Sequence, residues 1–194
     1  YNRIMLSPVL AGEKHFDDIV LHTPEWYINQ GIELISGQLV VDVNRRHRQV
    51  ITDQGLSIPY DRLLFATGSV PFIIPIPNHN HACVLSFRDI QDVEAMLTAT
   101  TEKKKVAVIG GGLLGLEAAN GLLKRGVEVT VIHDVSCLMN RQLDSEAAHL
   151  LQAQLEKNGM KFRMGVVTKE IVIKDAEHLS HLAFREGEDL PTDL

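Results

Sequence analysis

Three glycines, Gly110, Gly112 and Gly115, form the spacing in this chain best suited to holding a phosphate. They follow an apolar, β-branched run at 106–109 and open a stretch rich in Leu and Ala, after which 127–132 is apolar again. Such an order reads as strand, tight turn, helix and second parallel strand. Gly110 permits the turn, Gly112 lets a pyrophosphate approach the backbone, and Gly115 lets the helix pack closely on the strand. Free N–H groups at the helix start, around Leu113 and Leu114, and the positive end of its dipole then face the phosphates. A lone G-x-G-x-x-G is weak, since other α/β proteins also turn on glycines. Inside a complete strand–turn–helix–strand unit it predicts dinucleotide binding.

The second strand ends on His133, where an Asp or Glu usually accepts hydrogen bonds from the adenosine ribose. A neutral imidazole accepts one such bond and repels a 2′-phosphate less than a carboxylate does, so NADH and NADPH both stay open. Arg141 reads as a solvated arginine rather than a phosphate ligand. His15, His22, His47, His79 and His81 lack metal-ligand spacing, and His79-x-His81 sits in a Pro- and Asn-containing loop that reads as solvated. Cys83 and Cys137 form no C-x-x-C pair and read as free thiols. No Ser/His/Asp set and no paired carboxylates stand out, so no catalytic side chain and no metal ligand is assigned.

Periodicity gives the elements that must position the loop. In a first region, 1–101, Asp17-Asp18 and Pro24-Glu25-Trp26-Tyr27 point to a short helix ending near Gly31. Strands are expected at 32–35, 39–43, 49–52 and 56–59, the last two flanking Asp53-Gln54-Gly55, a hairpin signal with glycine free to take positive φ. A further strand is expected at 62–66. Pro71, Pro75 and Pro77 make 72–76 an extended connector. Residues 88–98 fit an amphipathic helix with Ile90, Val93, Met96 and Leu97 on one face. In a second region, 102–194, a helix over 144–157 turns Ala147, Leu150, Leu151 and Leu155 inward, with Asp144 as N-cap and Asn158-Gly159 as stop. Strands follow at 161–164, near 171–173 and at 182–184, and 186–189 turns the chain. The regions join across 98–104, where Lys103-Lys104-Lys105 reads as a solvated linker.

Composition narrows the class. A chain of 194 residues, 45% hydrophobic, can bury one large core or two small ones. No apolar run approaches the roughly 20 residues that span a bilayer, so no membrane association is expected. A net charge of −6 without a basic stripe argues against nucleic acid. Two lone cysteines fit a reducing, cytoplasmic compartment. The opening YNRIML has neither an initiator Met nor an apolar signal region, which reads as an excised piece of a longer chain.

Three features together resemble a known family. Tyr60-Asp61-Arg62-Leu63-Leu64-Phe65-Ala66-Thr67-Gly68-Ser69 is similar to the segment of two-dinucleotide flavoprotein reductases that follows a small β-meander and lies against FAD. The run from Gly110 through Glu117 resembles their second, NAD(P)H-binding glycine loop. Tyr1-Asn2-Arg3-Ile4-Met5-Leu6-Ser7 resembles the stretch just after their first FAD-binding βαβ unit. Their order and spacing cover nearly the whole chain. The resemblance extends, in 1–13, 112–133 and 138–144, to the flavin half of the NAD(P)H-dependent assimilatory nitrite reductases.

The resemblance implies a Rossmann-like, two-dinucleotide-binding α/β fold truncated at both ends. Residues 1–101 would be a partial FAD-binding domain lacking its first βαβ unit, and 102–194 an NAD(P)-binding domain lacking its last strand. Implied cofactors are NAD(P)H and, in the full-length parent, FAD, with Arg3, Val40, Ala66, Thr67, Gly68 and Arg88 at FAD-touching positions and Glu117 near the nicotinamide. Implied activity is electron entry, with hydride passing to FAD and on to a siroheme and iron–sulfur domain that reduces nitrite. Cluster and siroheme ligation need more cysteines than this chain has. A ferredoxin or rubredoxin reductase, or a non-catalytic nucleotide-binding subunit, is the alternative, and a homodimer is compatible. Relatives that handle disulfides or peroxide place a Cys after the Leu-Ser that matches Leu6-Ser7, and oxygenase-coupled ferredoxin reductases place a Lys there. Pro8 supplies neither, which argues against disulfide chemistry and leaves Glu117 without a lysine partner.

Overall fold

The computed structural model describes residues 1–102, 105–176 and 178–194. Lys103 and Lys104, two lysines of the expected linker, lie outside the described residues. In chain order the elements are α1 (Leu6–Leu10), α2 (Pro24–Asn29), β1 (Val40–Asn44), β2 (Gln49–Thr52), β3 (Ser57–Pro59), α3 (Ile90–Ala99), β4 (Lys105–Ile109), α4 (Leu113–Lys124), β5 (Glu128–His133), α5 (Ser145–Lys157), β6 (Lys161–Met164), β7 (Thr168–Ile173), β8 (Leu179–Phe184) and β9 (Leu190–Pro191). Single 3-10 turns stand at Arg3–Met5 and Phe16–Ile19. Two compact units form: Tyr1–Val20 with Pro71–Leu194, and Leu21–Val70.

In the larger unit β4, β5 and β6 make a parallel sheet in that order, with α4 and α5 as the crossovers. This is one βαβαβ half of a doubly wound fold, as the glycine loop requires. Strand β5 has Val129 and Val131 fully buried and Ile132 nearly so. Burial on both faces is what a parallel strand under flanking helices demands, and it explains the unbroken β-branched run. The chain end lies along β4: the Ala107 N–H donates to the Leu194 carbonyl (2.9 Å) and the Asp193 N–H to that of Lys105 (2.8 Å). After β6, β7, β8 and β9 form a separate antiparallel sheet.

Helix α3 buries Val93 and Met96 as its spacing predicts. Helix α5 starts at the expected cap, the Asp144 carboxylate accepting from the Ala147 N–H at 2.8 Å. Its inward stripe differs by one position, however. Ala148 is buried, Ala147, Leu151 and Leu155 are half-buried, and Leu150 is 69% exposed. At 100° per residue, 148, 151 and 155 share one face, and Leu150 lies some 200° from Ala148.

The smaller unit is built on the antiparallel sheet β1–β2–β3. The expected turn closes β2 onto β3, with the Gly55 N–H donating to the Thr52 carbonyl and Gly55 at φ +79°. Residues 32–35 and 62–66 are not strands, contrary to expectation. A β run persists only where a neighbouring backbone completes its ladder. Among the described residues these two segments pair with none, and Leu64 and Phe65 stand exposed.

Candidate nucleotide site

The close approach of α4 to β4 fixes two of the three glycines of the loop. A Cβ on Gly115 would sit 2.0 Å from the Gly110 carbonyl oxygen, so no other residue lets the helix lie where it does. Gly110, at φ +122°, makes the turn off β4, and its N–H donates to the Ile132 carbonyl at 2.8 Å, tying the loop to β5. Gly112 is the N-cap at φ −86° and ψ −179°, a backbone any residue can adopt, and nothing lies within 4 Å of a Cβ there. Sterics of the fold therefore do not explain Gly112, whereas an approaching ligand does.

Helix α4 has no side-chain cap, and its first internal bond runs from the Leu116 N–H to the Gly112 carbonyl. The N–H groups of Leu113, Leu114 and Gly115 thus precede any intrahelical acceptor. Leu113 and Leu114 are exposed, as is Ile109 at the strand end. Together with about half a positive charge at the helix terminus, this is an open anion cradle. These residues fit a dinucleotide pyrophosphate.

Glu117 lies on α4 beyond its first turn. Its Oε2 accepts a 2.9 Å hydrogen bond from the Ser7 hydroxyl, across 110 positions of sequence. Nothing in the local sequence signals this pair. It exists because α1 packs on α4, where Leu10, fully buried, fills the space over Gly121. Arg125 locks the arrangement, its Nε donating to the Leu10 carbonyl (2.6 Å) and its Nη2 to that of Val9 (3.0 Å).

At the end of β5 the His133 ring packs against Gly111, where a Cβ would come within 2.7 Å of it. Its Nε2 is buried without a partner among the described residues, and its Nδ1 lies 3.3 Å from Asp134 Oδ1. Burial takes Nε2 out of contact with solvent. The exposed group at this strand end is the Asp134 carboxylate.

The FAD-side positions are placed on both units. In the larger, Arg3 is exposed in the first 3-10 turn, while Arg88 precedes α3 and its N–H bonds Asp92 Oδ2 at 2.6 Å. The Tyr1 hydroxyl accepts from the Ile90 N–H at 3.2 Å, so the N-terminal segment and the start of α3 are neighbours. In the smaller unit Val40 is exposed on β1, and Ala66, Thr67 and Gly68 are exposed in irregular backbone, Gly68 at φ +72°.

Other chemistry is thin. Cys83 is buried and Cys137 is half-buried. No cluster able to hold a metal occurs among the described residues, and two cysteines do not fit an iron–sulfur cluster or siroheme. His81 is less solvated than expected: its Nδ1 accepts from the Cys83 N–H (3.2 Å) and its Nε2 meets the Asp175 carbonyl (3.1 Å). A cavity of about 300 Å³ beside β4 is lined mainly by apolar groups such as Val108, Leu114, Ala118 and Phe72, with His79, Cys83 and Ser86 also on its wall. Among the described residues no helix is long and apolar enough to cross a membrane.

Comparison with known proteins agrees with this geometry. The chain is 49% identical over all 194 residues to the nitrite reductase [NAD(P)H] of Bacillus subtilis, covering 24% of that protein. It is 44% identical over 194 residues to the assimilatory nitrate reductase electron transfer subunit of the same organism, covering 25% of it. It thus spans about a quarter of the length of these curated relatives. A ferredoxin reductase from Rhodopseudomonas palustris superposes on 98% of the chain with a TM-score of 0.90 at 28% identity, the match covering 47% of that structure. The model of the pyridine nucleotide-disulphide oxidoreductases matches residues 1–194, so the chain belongs to that family of NAD(P)H- and FAD-using enzymes, although it has no cysteine pair.

Proposed function

We propose that this chain is the electron-entry module of a flavoprotein NAD(P)H oxidoreductase. In this reading residues 102–194 bind NAD(P)H, and residues 1–101 contribute part of the FAD site. Electrons pass on to a siroheme and iron–sulfur domain outside this chain, where nitrite is reduced. The observation that carries the reading is the pairing of an obligatory glycine at 115 with an open, sterically unexplained glycine at 112. The 49% identity to a nitrite reductase over all 194 residues of this chain supports the choice of final acceptor.

Hydride transfer from the nicotinamide to the flavin is the chemistry the cofactors supply. The chain's own residues bind and orient. The first-turn N–H groups of α4 hold the pyrophosphate, and Asp134, beside His133, accepts from the adenosine ribose hydroxyls. Arg3 and Arg88 offer fixed guanidinium donors to FAD, while Val40 and Ala66–Gly68 present close backbone to it. Cytoplasmic location and a homodimeric state belong to the same proposal.

The test is made on the full-length protein. NADH oxidation that depends on added nitrite and yields ammonium supports the reading. Oxidation that depends only on an added ferredoxin or rubredoxin replaces it with the reductase alternative, which the ferredoxin reductase likeness favours. A colourless protein that binds NADH without oxidising it points to a non-catalytic subunit.

A further inference from the structure

We infer that Ser7 is a positioning residue for the nicotinamide end of the dinucleotide, holding the Glu117 carboxylate in the orientation that meets the ring. The inference rests on the NAD(P)H-site reading above. The Ser7 hydroxyl donates to Glu117 Oε2 at 2.9 Å, and this is the one hydrogen bond the Glu117 side chain makes among the described residues. Among the described residues no cation pairs with the carboxylate, and no hydrogen bond reaches Oε1. Glu117 is half-buried on α4, five residues beyond Gly112, so it sits behind the cradle that takes the pyrophosphate.

Ser7 itself cannot drift. Helix α1 is pinned to α4 by the two Arg125 bonds to the Leu10 and Val9 carbonyls and by Leu10 seated over Gly121. The Lys124–Glu13 ion pair closes the same seam. A half-buried carboxylate with one oxygen fixed and the other free accepts an N–H donor and favours nearby positive charge. The nicotinamide meets both requirements: its carboxamide carries N–H groups, and its ring is cationic in the oxidised form. A serine hydroxyl suits this role because it orients the carboxylate without neutralising it, as a lysine would.

Calorimetric titration of the full-length, oxidised flavin-loaded protein with NAD⁺, which cannot reduce the flavin, and with ADP-ribose, which lacks the nicotinamide, separates this role from a structural one. Ser7→Ala is expected to weaken NAD⁺ binding roughly fivefold to tenfold, the loss typical of one net hydrogen bond, and to leave ADP-ribose within about twofold. Ser7→Thr, which keeps the hydroxyl, should restore NAD⁺ binding, and Glu117→Gln should weaken NAD⁺ alone. Equal losses for both ligands, or unchanged NAD⁺ binding in Ser7→Ala, overturn the inference while leaving the nucleotide site standing. Failure of the unmodified protein to bind either ligand overturns the site reading and the inference together.

Discussion

Adding one methyl group at Gly115 and one at Gly112 should produce opposite failures, although the two residues lie three apart in one loop. In Gly115→Ala the new carbon falls 2.0 Å from the Gly110 carbonyl oxygen, and that atom is backbone, so no side chain can rotate away. Relief requires α4 to move off β4 by about an ångström or more, beyond what close-packed interiors absorb without loss. Overpacking of this kind costs about 2–4 kcal/mol. For a protein of this size each kcal/mol lowers Tm by about 2–4 °C, so a drop of roughly 5–15 °C is expected. In Gly112→Ala nothing lies within 4 Å of the methyl and the backbone is already extended, so Tm should shift by no more than about 2–4 °C. The same methyl occupies the approach of the pyrophosphate, and NADH binding should fall by about tenfold or more. Thermal unfolding by circular dichroism and calorimetric NADH titration read the two effects separately. Equal destabilisation by both substitutions, or normal NADH binding by Gly112→Ala, would refute the argument.

Further outcomes follow from individual contacts. Arg125→Met strips two carbonyls of their charged donor at a partly buried seam, and should lower stability by about 2–3 kcal/mol in denaturant titration. Asp134→Asn should weaken NADH binding several-fold while sparing free pyrophosphate, as competition titrations would show. Leu150→Gln should leave Tm within about 1–2 °C, since that side chain is 69% exposed. The hydrogen bond and charge of Lys161, 2.8 Å away, hold the Glu128 carboxyl below its ordinary value of 4.5. A depressed carboxylate adds stability above its unfolded-state value and loses it as pH falls through the folded one. Glu128→Gln should therefore cost a few tenths of a kcal/mol near neutrality, nothing in strong acid, and less in high salt, because the pair is exposed.

The parts that sequence alone conveyed are those whose signals are local. The glycine loop, the β-branched run of β5, the Asp144 cap and the Asp53-Gln54-Gly55 turn each carry their cause within a few residues. The segments at 32–35 and 62–66 have strand-like composition, but a strand is a pairing, and pairing is a property of two segments. Leu150 misled because an apolar residue next to a helical stripe looks like part of it. Ser7 and Glu117 meet only through the packing of α1 on α4, and the His133 Nε2 is buried only because its ring packs against Gly111. Each of these outcomes depends on tertiary placement that no spacing rule encodes.

Anaerobic titration of the oxidised, full-length protein with NADH, followed by flavin absorbance, tests whether hydride enters through this glycine loop. Expected is a yellow protein whose flavin is bleached by roughly one to two equivalents of NADH, one hydride filling the flavin and the remainder the downstream iron–sulfur and siroheme centres. Gly112→Ala should retain the flavin spectrum but be bleached far more slowly at low NADH. Bleaching unchanged by that substitution, or a flavin that NADH leaves oxidised, would contradict entry through the loop.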